Sequence, residues 1–442
     1  MTEIVTEEKH EIKGKIAGIE IPSDLKKYNF YALFWCSMVM LMAITSGSVI
    51  QPIFLKDVIG IAPQNFGKIS TALVVINEVA SILLIGYVGV LSDRYGRRKI
   101  MTFGLVTSGI TYIIFGYSKS IADFSGIEPI IAVFILRALF VIFLQFAWPH
   151  VFTIIGDYTY ASSRGKGMAA IGLTSAIGAL MAFGVISQIP KKFGVLAAFV
   201  TCGIIILISA AVSHFGVVDR MKVREKSEHS KGELELLREA WQIVKDSAPL
   251  KMCYGAAFIS RANVGVLGTM MMIWTAKVAQ EYGHTTGEAL ALGGMAVGLS
   301  GIFGMITAPL WGILTDRWGR MRTTALSLAF TGIGYLLLTL ITNPFGGLMK
   351  VFIIFIGAGQ FGAMTASMTL ATDLSPKKVL GSVLGGFNTF GALGIFVLTS
   401  VGGIVFDAFG HTSPFLIAGL VNIVVTVWCL VVYFKYGEKR VA

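Results

Sequence analysis

This sequence carries little charge. Asp, Glu, Lys and Arg together make up 14% of its 442 residues. A water-soluble chain carries nearly twice that share, so a soluble enzyme is excluded, and so is a nucleic-acid-binding module despite the net charge of +11. Cysteine is scarce as well. Cys36, Cys202, Cys253 and Cys429 each stand alone inside an apolar stretch, without the paired spacing of a thiolate metal site or a disulfide framework. No glycine-rich phosphate loop and no catalytic cluster is present, which leaves an ATP-driven pump or a membrane enzyme without support. We therefore expect no cofactor and no bound metal. The first 27 residues mix Glu and Lys around no apolar core, so they do not read as a cleavable signal and are expected to form a cytoplasmic tail.

What the chain has instead is apolar length. Hydrophobic residues make up 55% of it, and the mean hydropathy is +0.76. A bilayer core about 30 Å thick takes roughly 20 apolar residues per helix. The sequence offers such stretches near 29–50, 66–90, 99–118, 128–152, 166–188 and 193–215, then near 250–275, 288–314, 322–342, 347–371, 379–402 and 413–435. The fold class is thus an all-α membrane protein with twelve transmembrane helices in two six-helix bundles, over 28–215 and 250–435. A polar linker, 216–249, joins them and is helix-forming around Leu234 to Val244, and 436–442 form a short tail. With the N-terminus placed inside, 27 of the 36 Lys and Arg residues fall in the inner loops. That bias predicts cytoplasmic N- and C-termini, and the plasma membrane is the expected location.

The two halves repeat. Gly89-Val-Leu-Ser-Asp93-Arg94-Tyr-Gly96-Arg97-Arg98-Lys99 recurs as Gly312-Ile-Leu-Thr-Asp316-Arg317-Trp-Gly319-Arg320-Met-Arg322, displaced by 223 residues. A weaker echo follows the fourth and tenth helices, where Asp157 to Arg164, Gly167 and Gly172 parallel Asp373 to Lys378, Gly381 and Gly386. Duplicated six-helix halves are a transporter layout.

At these residues the chain resembles the major facilitator superfamily, whose loop after the second helix reads G-x-L-[AS]-D-R-x-G-R-[RK]. The resemblance covers about Tyr28 to Tyr433. It implies gating roles for Gly89, Asp93, Arg94, Arg97, Asp157, Gly312, Asp316, Arg317, Arg320 and Asp373. Asp93 would latch the second helix onto the eleventh when the inner gate shuts, Asp316 would do likewise with the fifth, and Arg97 and Arg320 would pair with Asp157 and Asp373. Glycines concentrate in the second, fifth, eighth and eleventh helices, which in the family line the contact between halves.

Three charged residues fall well inside the expected spans, Glu78, Arg137 and Arg261. Each is costly in hydrocarbon unless it faces a wet cavity or a partner. Glu78 lies 11 residues before Gly89, on nearly the same helix face, and is a carboxylate placed to take up and release a proton. Arg137 matches the arginine that the family often carries in its fourth helix, although the following glycine is missing; the resemblance implies a part in proton coupling. Arg137 and Arg261 together would clamp an anion from opposite halves, with Asn263, Gln360 and Asn388 as further substrate-binding candidates.

The expected function is proton-coupled transport of a small organic anion of carboxylate type by alternating access. The alternative is drug or metabolite efflux by proton antiport, disfavoured by the absence of a Gly-Pro step in the fifth helix. The expected partners are a small solute, protons and the lipid bilayer, with no nucleic acid, and the chain is expected to act as a monomer.

Overall fold

A computed structural model of the chain describes residues 12–16, 18–62, 65–160, 163–220, 233–376 and 379–437. The gating expectations at Gly89 and Asp93 concern side-chain packing outside that description, although the backbone there is helical; much of the linker (221–232) and the end of the C-terminal tail (438–442) lie outside the described residues.

All twelve apolar stretches are helices. We number them α1 (Lys27–Ile53), α2 (Phe66–Tyr95), α3 (Arg97–Gly116), α4 (Pro129–Gln145, resuming at His150–Tyr158), α5 (Arg164–Gly184), α6 (Val195–Gly216), α7 (Ala248–Val278), α8 (Thr286–Arg317), α9 (Arg320–Leu338), α10 (Gly347–Leu374), α11 (Leu380–Phe409) and α12 (Ser413–Tyr436). Each is long and apolar enough to cross a bilayer. Local chemistry sets several starts. Proline opens α4, where its missing N–H costs nothing. Thr285 and Glu288 cap α8 reciprocally, each side chain bonding the other's backbone N–H at 3.2 Å.

Several helices outrun their apolar stretches. The charged repeat, expected in a loop between residues 90 and 99, is largely helical: α2 runs to Tyr95 and α3 starts at Arg97. Only Gly96 separates them, at φ 98°, and Gly319, at φ 110°, makes the matching turn before α9. Hydropathy ends where the hydrocarbon ends, but a helix continues into water as long as its residues tolerate it. A glycine that reaches positive φ without steric cost then reverses the chain in a single residue.

Within the first half α1 packs on α5 and α6, α3 on α4 and α6, and α2 on α4; in the second, α7 packs on α10, α11 and α12, and α9 on α10 and α12. Backbones approach closely where glycine removes the side chain. A methyl group at Gly178 of α5 would overlap the Met38 carbonyl of α1, and one at Gly394 of α11 would overlap the Phe258 carbonyl of α7.

The expected N-terminal tail is folded over much of its length. Strands β1 (Ile12–Ile16) and β2 (Ile19–Pro22) form an antiparallel hairpin with Ile19, Ile21 and Leu25 buried. Asp24 pairs with Arg220 at 2.7 Å, just beyond α6. In the linker, Glu233–Asp246 is helical, as expected around 234–244, and stacks Trp241 on Phe390 of α11.

Candidate functional site

The two halves meet along α2 with α11 and α5 with α8, and α1 also touches α7. Among the described residues, the hydrogen bonds and ion pair joining the halves gather at one end, the face opposite the chain termini. There Lys56 Nζ donates to the Ala276 carbonyl at 2.6 Å, Thr286 Oγ1 to Asp57 Oδ1 at 3.1 Å, and Gln188 Nε2 to the Ala291 carbonyl at 3.2 Å. Lys191 pairs with Glu288 at 3.5 Å, and the backbone N–H groups of Gly67 and Lys68 donate to Asp407. Nearby, Phe183 packs on Gly268 and Gly294, and Leu180 on Gly301. Toward the other end, among the described residues, nothing lies within 4 Å of where a Cβ would stand at Gly172, Gly312 or Gly385.

At the level where the halves part sits a polar group drawn from both. Glu78 of α2 accepts from Asn77 Nδ2 at 3.0 Å. Arg261 of α7 donates from Nη1 to Asn388 Oδ1 of α11 at 3.2 Å, and its aliphatic stem lies over Gly391, where any side chain would collide with it. The Asn388 amide is aimed by its own bond to the Leu384 carbonyl at 3.0 Å. Glu78 and Arg261 act on each other electrostatically across the seam without a direct ion pair. A carboxylate, a guanidinium and two amides therefore share one water-reachable cleft. Such a set can exchange a proton at Glu78 and hold an anion at Arg261.

The other expected ligands are elsewhere. Arg137 does not form a clamp with Arg261. It is 2% exposed, donates from Nε to the Leu73 carbonyl at 3.1 Å, and lies against Gly47 of α1 and 5.5 Å from the Phe140 ring. Gly47 is what makes room for it. Asn263 does not reach the cleft either, because its amide is paired with Asn422 of α12 in two bonds of 3.0 and 2.8 Å. Gln360 is buried on α10, 8% exposed, and no hydrogen bond links it to the Glu78–Arg261 group. An apolar helix shows from sequence which residues are polar but not which way they turn. We expect Asn263→Leu to lower the thermal unfolding midpoint, by a loss of about 1–3 kcal/mol for the stranded Asn422 amide, with little change in substrate KM. A large KM change at unaltered stability would return Asn263 to the cleft.

The repeated motif organises each half separately. Arg97 is ion-paired with Asp157, and Arg320 with Asp373 at 3.1 Å. Arg94, Asp316 and Arg317 are exposed on the terminus-bearing face. Two acidic residues outside every motif also have defined work. Asp219 accepts the Arg98 N–H at 2.7 Å and so caps α3. Asp407, at the end of an apolar stretch, reads in sequence as ordinary loop charge, yet it joins the halves. His411, just beyond it, stacks on Trp274; burial and then the neighbouring Lys277 hold its imidazole below the ordinary 6.5 and leave it neutral at pH 7.

Comparison with known proteins places this architecture. The sequence profile described as Major Facilitator Superfamily matches residues 33–399 and again 262–441. Magnetosome protein MamH of Paramagnetospirillum magneticum is 27% identical over 92% of this chain and 93% of its own length. Multidrug resistance protein 2 of Bacillus subtilis is 23% identical over 85% of this chain and 88% of its own. The crystal structure of a single-residue mutant of the nucleoside transporter NupG superposes with a TM-score of 0.72 at 12% identity, over 92% of this chain and all of that one, a likeness of fold alone.

Proposed function

The chain belongs to the Major Facilitator Superfamily, and from that premise we propose that it carries a small organic anion together with a proton by alternating access. The observation that carries this reading is the facing of Glu78 in one half and Arg261, oriented by Asn388, in the other.

The coupling follows from charge balance. With Glu78 ionised, its carboxylate offsets the Arg261 guanidinium and the empty site is close to neutral. A proton on Glu78 removes that offset and leaves Arg261 free to bind a substrate carboxylate through charge-assisted hydrogen bonds. The site holding both proton and anion is again neutral. The half-loaded forms carry a net charge that would have to enter a closed, low-dielectric cleft, so they resist rocking. The empty and the fully loaded states therefore turn over and the half-loaded ones do not, which is symport. Arg137 contributes a fixed positive charge inside the first half, and the Arg97–Asp157 and Arg320–Asp373 pairs hold the motif turns rigid as the 28–215 and 250–435 bundles rock.

With the Lys- and Arg-rich loops placed in the cytoplasm, the closed end faces outward, which supports an inward-facing reading of this conformation. A monomer in the plasma membrane is the simplest setting; kinship with a magnetosome protein favours the magnetosome membrane as the other candidate location. A second reading, efflux by proton antiport, draws on the multidrug relative and on Glu78, which can also attract a cationic drug.

Proteoliposomes separate the two. Labelled organic anions should accumulate when an inward proton gradient is imposed and should only equilibrate without one. Failure of the whole anion panel, with gradient-driven extrusion of cationic dyes instead, would replace symport by efflux.

A further inference from the structure

The contacts at the closed end are unequal. Lys191 and Glu288 are 46% and 36% exposed, and such a pair is largely screened. Asp407 is different: its side chain is 2% exposed, and both carboxylate oxygens are used, Oδ1 by the Gly67 N–H at 3.0 Å and Oδ2 by the Lys68 N–H at 2.9 Å. These two donors belong to the first turn of α2, where backbone N–H groups have no partner within their own helix and the dipole favours an anion. The carboxylate comes from the other half of the molecule, 340 residues away.

Asp407 is also in the wrong place for its own helix. It stands in the last turn of α11, where the dipole disfavours a negative charge, so its position is explained by the helix it reaches rather than the one it sits on. Small residues make the approach possible. A Cβ on Gly67 would stand 2.8 Å from Asp407 Oδ1, and one on Gly403 would collide with Thr71. A second partner waits on Asp407's own half: Lys277 Nζ of α7 lies 4.0 Å from Oδ1 and 4.9 Å from the Phe406 ring centroid. When the halves part, the carboxylate loses two backbone donors but keeps an ammonium within reach.

We propose that Asp407 is the latch of the gate opposite the termini, capping α2 when that gate is shut and transferring to Lys277 when it opens. The inference rests on the alternating-access reading but on neither the substrate nor proton coupling. A charge shared by α2 and Lys277 in one state and held by Lys277 alone in the other gives the gate two defined positions.

The test measures the gate itself. Spin labels at Ile61 and Phe409, one on each half of the closed face, report its opening as a distance distribution in the full chain, with all four native cysteines buried. Asp407→Asn should raise the ratio of long to short distance at least tenfold, because a neutral amide cannot replace the carboxylate at two donors. Lys277→Met, which removes the partner that Asp407 keeps once it leaves α2, should lower that ratio. Opposite signs from two neighbouring residues are not what a simple packing role produces. Should Asp407→Asn fail to fold, Gly67→Ala displaces the carboxylate from α2 and should shift the ratio in the same direction. Two populations whose ratio ignores Asp407, or variants that all shift alike, overturn the latch and leave alternating access standing. A single short distance in every variant overturns both.

Discussion

Arg261→Ala should lower gradient-driven uptake of an anionic solute by about a hundredfold at sub-saturating concentration. Truncating one partner of a buried, charge-assisted contact costs about 2–5 kcal/mol, and each 1.4 kcal/mol is tenfold in affinity. Arg261 is the only guanidinium placed in the cleft between the halves among the described residues, since Arg137 is enclosed between α1, α2 and α4. The loss should appear as a raised KM, with Arg261→Lys recovering part of it because an ammonium keeps the charge but not the planar fork. Glu78→Gln should behave differently. An amide imitates the protonated carboxyl, so anion exchange persists while accumulation against a gradient disappears. Wild-type accumulation in Glu78→Gln, or unchanged KM in Arg261→Ala, would remove these residues from the coupling scheme.

The glycines should divide into two classes with opposite phenotypes. Gly178→Ala and Gly394→Ala place a methyl group against the backbone carbonyls of Met38 and Phe258, which cannot rotate away. Overpacking of this kind costs about 1–3 kcal/mol, and the unfolding midpoint in detergent should fall clearly for each. Gly172→Ala and Gly385→Ala meet nothing within 4 Å in this conformation and should leave the midpoint unchanged. Yet they lie on α5 and α11, and the proposed cycle closes the halves along this seam in the opposite state. We expect transport to fall in these two variants while stability holds. Full activity in Gly172→Ala and Gly385→Ala would show that the opposite state keeps this seam apart.

Much of the architecture is legible in sequence because the bilayer imposes a local criterion. Whether some 20 residues cross hydrocarbon depends on the sum of their transfer free energies, and that sum can be read without knowing what they touch. The repeat adds the division into halves and points to Arg97 with Asp157 and Arg320 with Asp373, since each pair joins the motif turn to the end of a neighbouring helix in the same half. The helix ends were less legible, because α2 and α8 continue past the hydrocarbon until Gly96 and Gly319 turn the chain.

The site is another matter. Glu78, Arg137, Arg261 and Asn263 stand out equally in sequence as polar residues in apolar helices, yet only Glu78 and Arg261 share the cleft. Asn263 is consumed by Asn422, 159 residues away, and Arg137 is enclosed by Gly47, Leu73 and Phe140. A helix that is apolar all round carries no stripe to mark which face meets protein, lipid or water. Asp407 was hidden for a related reason: its importance lies in the α2 N-terminus it caps, a partner that exists only once the halves are docked. By itself the sequence determined the twelve spans, their duplication and the charges they bury, because membrane insertion is settled residue by residue along the chain. Which of those charges face one another, and which end of the molecule is shut, only the tertiary structure decided, because both depend on the rotation of each helix about its axis and on contacts between halves hundreds of residues apart.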